Sequence, residues 1–181
     1  MGGPGLRENG PFKWLPEYMK LAGEQGVRID FVAVHWYDWQ GVWQENQARK
    51  AGDEARIAEI RNVENIFARF KQYIHDVHEK YGLPIWITEF NCNPGRDEHL
   101  QIEFMKRDMP WLDEQDFVER YAYFQPAGGN GDFHEVRNDP DTPLTAMGRL
   151  YRDHESVPAL KDGVWLGANN LCGPEIEERS R

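Results

Sequence analysis

The chain has 181 residues, 40 % of them hydrophobic and 13 % aromatic, which is enough for one globular domain with a core and argues against disorder. Its 21 Lys and Arg against 31 Asp and Glu give a formal charge of -10, a field that repels phosphate backbones and anionic membranes and excludes nucleic acid as a ready partner. No apolar run reaches the roughly 18 residues a membrane span requires, and the opening MGGPGLRENG lacks the pattern of a signal peptide, so the compartment is left unassigned.

Helical and extended patterns then alternate. PFKWLPEYMKLAGEQG spaces Trp14, Leu15, Tyr18, Met19 and Leu21 for a helix that stops at Gly23 and Gly26. IDFVAVHWYDW is an apolar, β-rich run from Ile29 to Tyr37, followed by a long polar stretch read as a loop that carries Trp39 and Trp43. ARIAEIRNVENIFARFKQYIHDVHEKYG repeats apolar residues from Ile57 to Val77 as one amphipathic helix. PIWITEF is the next strand, HLQIEFMKRDMPWL the next helix and FVERYAYF the next strand. TPLTAMGRLYRDH closes as a helix, with Thr142 or Thr145 as its cap. This alternation predicts right-handed βαβ units and a parallel sheet, an α/β fold.

Polar residues fall where the strands end. His35, Tyr37 and Glu89 all sit at C-terminal strand ends, where α/β sheets build their sites. Alternation puts His35 and Tyr37 on one face and Trp36 on the other, toward a helix. Two of them have an ordinary alternative: Glu89 as a structural acid capping a helix or pairing with Arg96, and His35 as a buried histidine bonded to backbone. His75 and His78, three apart on a helix, lack a third ligand and the HExxH spacing, and read as a solvated face rather than a metal site. GGNGDFHEVRNDPDTP has calcium-loop composition without its spacing. Cys92 and Cys172 fit a disulfide and two unrelated thiols equally well.

The stretches VAVHWY, PIWITEF, VERYAYF and TPLTAMGRLY, in this order, resemble the C-terminal half of glycoside hydrolase family 128, a β-1,3-glucanase family with a single (β/α)8 TIM-barrel domain. The opening GGPG followed by WLPEYM is similar to that family's fifth strand end and next helix, so the resemblance spans roughly residues 2 to 153. It implies a partial glycosidase domain over 1–156, from the end of strand five to strand eight, and an extension over 157–181. It also implies a retaining mechanism, in which one carboxylate attacks the anomeric carbon and a second group donates a proton to the departing oxygen.

On this resemblance Glu89 occupies the nucleophile position at the end of the seventh strand. Tyr37 and His35 would orient it or bind sugar. Tyr123 stands where similar enzymes carry a Trp that floors the sugar site, and Phe124 is its alternative. Asn91 is expected on the face of Glu89, and Trp39 and Trp43 would stack on glucan or cover the rim. No cofactor is required, and the expected partner is a β-glucan polysaccharide or oligosaccharide, with an extracellular setting compatible with it. The family's Asn-Glu-Pro acid/base motif does not occur in this sequence. That departure leaves three accounts open: a fragment, a start misplaced at Met1, or a half-barrel completed by another chain, since two open sheet edges favour self-association. It also keeps in view a non-catalytic glucan-binding protein or pseudoenzyme, and a (β/α)8 hydrolase with another sugar specificity.

Overall fold

The computed structural model describes residue 2, residues 5–126 and 130–156, and the backbone of residues 160–161 and 164–165. Helices α1 (Gly10–Lys13) and α2 (Leu15–Glu24) lead into strand β1 (Val32–Trp36). Helices α3 (Trp39–Ala51), α4 (Glu54–Arg61) and α5 (Val63–Tyr81) connect it to β2 (Ile85–Phe90). Helix α6 (Glu98–Asp113), strand β3 (Val118–Tyr123) and helix α7 (Ala146–Arg152) follow. Beyond them β4 (Leu160–Lys161) and β5 (Val164–Trp165) pair antiparallel.

Two local expectations change. The stretch after β1 is helix α3 rather than a loop, with Trp39 as its first residue. The single amphipathic helix is instead α4 and α5, divided at Asn62, whose backbone is extended and whose side chain accepts a hydrogen bond from Glu64 N. Asn competes well for such backbone donors and so starts a helix more readily than it continues one. Thr145 caps α7 by accepting from Gly148 N, whereas Thr142 Oγ1 donates to Asp139 O in the preceding turn.

The sheet is parallel, in the order β1-β2-β3. The first residues of the chain extend it past β1, because Gly2 and Leu6 bridge in parallel to Phe31 and Val34. Leu6 N donates to Ala33 O at 3.2 Å, and His35 N donates to Leu6 O at 2.6 Å. One face is the core. There Val34, Trp36, Ile85, Ile87, Phe90 and Val118 pack with Phe70 and Ile74 of α5 and Phe104 and Met105 of α6, all of them buried. Phe70 stacks on Phe90 at 5.3 Å. Burying each such side chain contributes about 1.5–3 kcal/mol, which is what holds the helices to this face.

The other face is set by two bulges. Pairing runs Val34–Ile87 and then His35–Glu89, skipping Thr88; it runs Ile85–Val118 and then Trp86–Arg120, skipping Glu119. One extra residue reverses the face of every side chain after it. Glu89 therefore lies beside His35 instead of pointing to the helices with Ile85 and Ile87, and Tyr121 and Tyr123 turn toward the helices. Thr88 and Ala122, on central positions of the free face, are exposed.

His78 stacks on Phe117 at 4.1 Å and its Nδ1 meets Leu83 O, while His75 lies edge-on to Trp111. Among the described residues no group of three or more His, Cys, Asp or Glu could hold a metal ion, and no helix is long and apolar enough to cross a membrane.

Candidate active site

Glu89 is the penultimate residue of β2, and the bulge at Thr88 brings its carboxylate to the mouth of β1. Tyr37 donates its hydroxyl to Glu89 Oε2 at 2.6 Å, and His35 Nδ1 lies 3.4 Å from the same oxygen. Burial, then the Glu89 carboxylate, push the Tyr37 hydroxyl well above the ordinary phenol value, so it remains a neutral donor. Gly5 permits this packing, since a Cβ there would stand 2.6 Å from His35 Nε2 and 3.3 Å from Thr88 Oγ1. Tyr37, His35 and Glu89, together with Arg7, Glu8, Trp39 and Pro94, line a cavity of about 230 Å³. A larger cleft of about 700 Å³ between α3, α4 and α5 shares Glu8 but contains neither Tyr37 nor Glu89.

Glu8 is the site residue that sequence reasoning missed. Its Oε1 accepts from Tyr37 N at 2.6 Å and from Trp39 N at 3.1 Å. Burial raises its pKa above the usual carboxylate value, against the lowering effect of these amides. A signal for it was present: an acid two residues beyond Leu6, where the first extended segment ends, occupies the same kind of strand-end position as Glu89.

Behind the cavity lies a buried ionic group. Arg69 binds Asp38 through two bonds of 2.7 and 2.8 Å, and Arg96 Nη2 binds Asp38 Oδ2 at 2.7 Å. Arg96 is thus committed to Asp38, and the pairing with Glu89 allowed by the sequence is not formed.

The remaining expected site residues divide. Trp39 lines the cavity, whereas Trp43, one helical turn later and 63 % exposed, does not. Tyr123 is not on the cavity face: it is 6 % exposed, meets Phe90 edge-on at 5.1 Å and donates to Gln101 Oε1 at 2.7 Å. The bulge at Glu119 is the physical reason, because it turns this ring into the helix layer. Asn91 is fully buried and braces the loop, donating to Phe124 O at 2.8 Å and accepting from Asn93 N at 2.8 Å. Phe124, 43 % exposed, meets Tyr37 edge-on at 5.8 Å and is the aromatic ring that β3 delivers to this side. Cys92 is buried beside Gln101, with burial pushing its thiol pKa up; Cys172 lies outside the described residues.

A family model described as glycosyl hydrolase catalytic core matches residues 1–151. The chain belongs to this glycosyl hydrolase family. Its mixed α/β fold, three parallel strands with helices packed against them, is similar to part of solved glycoside hydrolase family 128 enzymes and agrees with the α/β class read from the sequence. One such neighbour of this glycosyl hydrolase chain is a subgroup I endo-β-1,3-glucanase from Amycolatopsis mediterranei in complex with laminaritriose, with 24 % identity and a TM-score of 0.57 over 83 % of this chain and 56 % of that one. A second is a subgroup II endo-β-1,3-glucanase from Pseudomonas viridiflava, with 21 % identity and a TM-score of 0.56 over 86 % and 55 %. A curated relative, alkali-sensitive linkage protein 1 of Schizosaccharomyces pombe, is 30 % identical over 132 residues, which are 70 % of this chain and 19 % of the relative. This glycosyl hydrolase chain therefore spans about half the length of the solved enzymes it matches.

Proposed function

We propose that residues 1–156 supply the nucleophile side of a retaining β-1,3-glucan hydrolase, as strands five to eight of a (β/α)8 barrel, with 157–181 an extension beyond it. The carrying observation is the Tyr37–Glu89 bond of 2.6 Å at the mouth of two adjacent parallel strands. A carboxylate so held is fixed in position while remaining open to a cavity. Exposed Thr88 and Ala122 in the middle of the free sheet face suit a sheet whose inner side is completed by further strands, from the same protein or from a second copy.

In this reading Glu89 attacks the anomeric carbon and forms a glycosyl ester, which water then releases. Tyr37 occupies Oε2, leaving Oε1 to attack. Trp39 and Phe124 supply aromatic walls for the sugar, and His35 steadies the carboxylate. No cofactor enters. The second carboxyl, about 5–5.5 Å from the first in retaining enzymes, is assigned to a residue outside this cavity, because the family's Asn-Glu-Pro motif does not occur in this sequence.

The test is Glu89→Gln in the complete protein, assayed on a laminarin-type glucan. The expected loss is about three orders of magnitude or more, and an unchanged rate rejects the assignment. The absence of that motif from this sequence is the observation favouring the other reading, a glucan-binding protein without turnover. Binding of laminari-oligosaccharides with no release of reducing ends would establish it, and comparison with cellulose and xylan fixes the sugar class.

A further inference from the structure

Asp38 occupies the N-cap position of α3 without capping it. Its φ is 51°, its side chain bonds no helix amide, and its carboxylate is turned back onto Arg69 and Arg96. The first amides of a helix need an acceptor, and here a different segment supplies it. Glu8 reaches across to Tyr37 N and Trp39 N, on either side of Asp38. Its starting point is fixed, because Leu6, two residues earlier, is bonded to β1 at Ala33 and His35. The two residues it grips are the ones that matter to the cavity: Tyr37 carries the hydroxyl on Glu89, and Trp39 forms the adjoining wall.

We infer that Glu8 is a positioning residue of the glucan-cleaving site: by holding the backbone at Tyr37 and Trp39, its carboxylate keeps the Tyr37 hydroxyl on Glu89 and the indole against the sugar cavity. The inference rests on the function proposed above. It makes reach, rather than charge, the property that counts. Glu8→Asp keeps the charge but shortens the side chain by about 1.5 Å, whereas Glu8→Gln keeps the reach and one acceptor oxygen while losing the charge.

The experiment compares Glu8→Asp, Glu8→Gln, Tyr37→Phe, the Glu8→Asp/Tyr37→Phe double variant and Glu89→Gln in the complete protein on laminarin-type glucan. Glu8→Asp is expected to lower kcat by about tenfold or more with KM nearly unchanged, and Glu8→Gln to stay within about threefold of the parent. The double variant is expected to be no slower than the slower single variant, because both changes remove one interaction. Losses that multiply, or a Glu8→Asp variant at the parent rate, overturn the inference. Undiminished hydrolysis by Glu89→Gln would instead reject the catalytic reading, and amide hydrogen exchange then decides the present point. In Glu8→Asp the Tyr37 and Trp39 amides should exchange about tenfold faster while those of α5 keep the parent rate. Unchanged exchange at both amides overturns the inference whatever the activity.

Discussion

Arg96 Nη2 stands 2.7 Å from Asp38 Oδ2, with the two side chains 2 % and 1 % exposed. Arg96 is compensated by little else: Glu45 is 3.9 Å away, and its Nε and Nη1 have no partner among the described residues. Burial lowers the Arg96 pKa and Asp38 opposes that shift, so the pair stays ionic because both members are present. Asp38→Asn keeps the shape but removes the charge that two arginines share. It should destabilise the fold by about 3–5 kcal/mol, read as a lower urea midpoint. A midpoint equal to the parent's would show that the guanidinium groups find other compensation.

Tyr37→Phe removes a single hydroxyl and leaves the ring against Phe124. The site loses the donor that fixes Glu89 Oε2, and the core loses nothing. Hydrolysis of laminarin-type glucan should fall by about ten- to a hundredfold, with melting temperature nearly unchanged. Equal rates would remove Tyr37 from the site.

Asp108 gives a pH prediction. It is fully buried on α6, no side chain among the described residues bonds its carboxyl oxygens, and desolvation, opposed by the Met109 amide, raises its pKa well above the usual carboxylate value. The folded protein keeps this group protonated at pH values where the unfolded chain has released the proton. Unfolding then releases a proton, so stability falls as pH rises above the ordinary carboxylate range. Asp108→Asn abolishes that dependence. Thermal melts should show a gain over the parent at pH 8 that shrinks toward pH 4, and a gain independent of pH would contradict the account.

Gly5→Ala tests how His35 is seated. The added methyl would stand 2.6 Å from His35 Nε2, so the ring must leave the position in which its Nδ1 lies 3.4 Å from Glu89 Oε2. Loss of about tenfold in kcat is expected, with a larger loss than for Gly23→Ala on α2, where a Cβ meets nothing within 4 Å. Equal kinetics for the two variants would mean that His35 is not held by this contact.

Much of the architecture was legible in the chain. Apolar runs bounded by Gly and Pro marked β1, β2 and β3, the 3.6-residue period marked α5, and His35, Tyr37 and Glu89, picked out by their strand-end positions, come together at one cavity. Other features were not. The polar segment after β1 reads as a loop, yet it is a helix with little apolar contrast, whose first amide, Trp39 N, donates to Glu8 of a distant segment.

Sequence by itself determined the three parallel strands, helices α2, α6 and α7, and the carboxylate near the end of β2, because local period and backbone propensity act over a few residues. Only the tertiary structure decided which way those side chains face. The bulges at Thr88 and Glu119 depend on pairing with a neighbouring strand, and they turned Glu89 toward the cavity and Tyr123 away from it. Glu8 likewise gains its role from strand adjacency, since it lies 29 residues from Tyr37 along the chain and one hydrogen bond away in space.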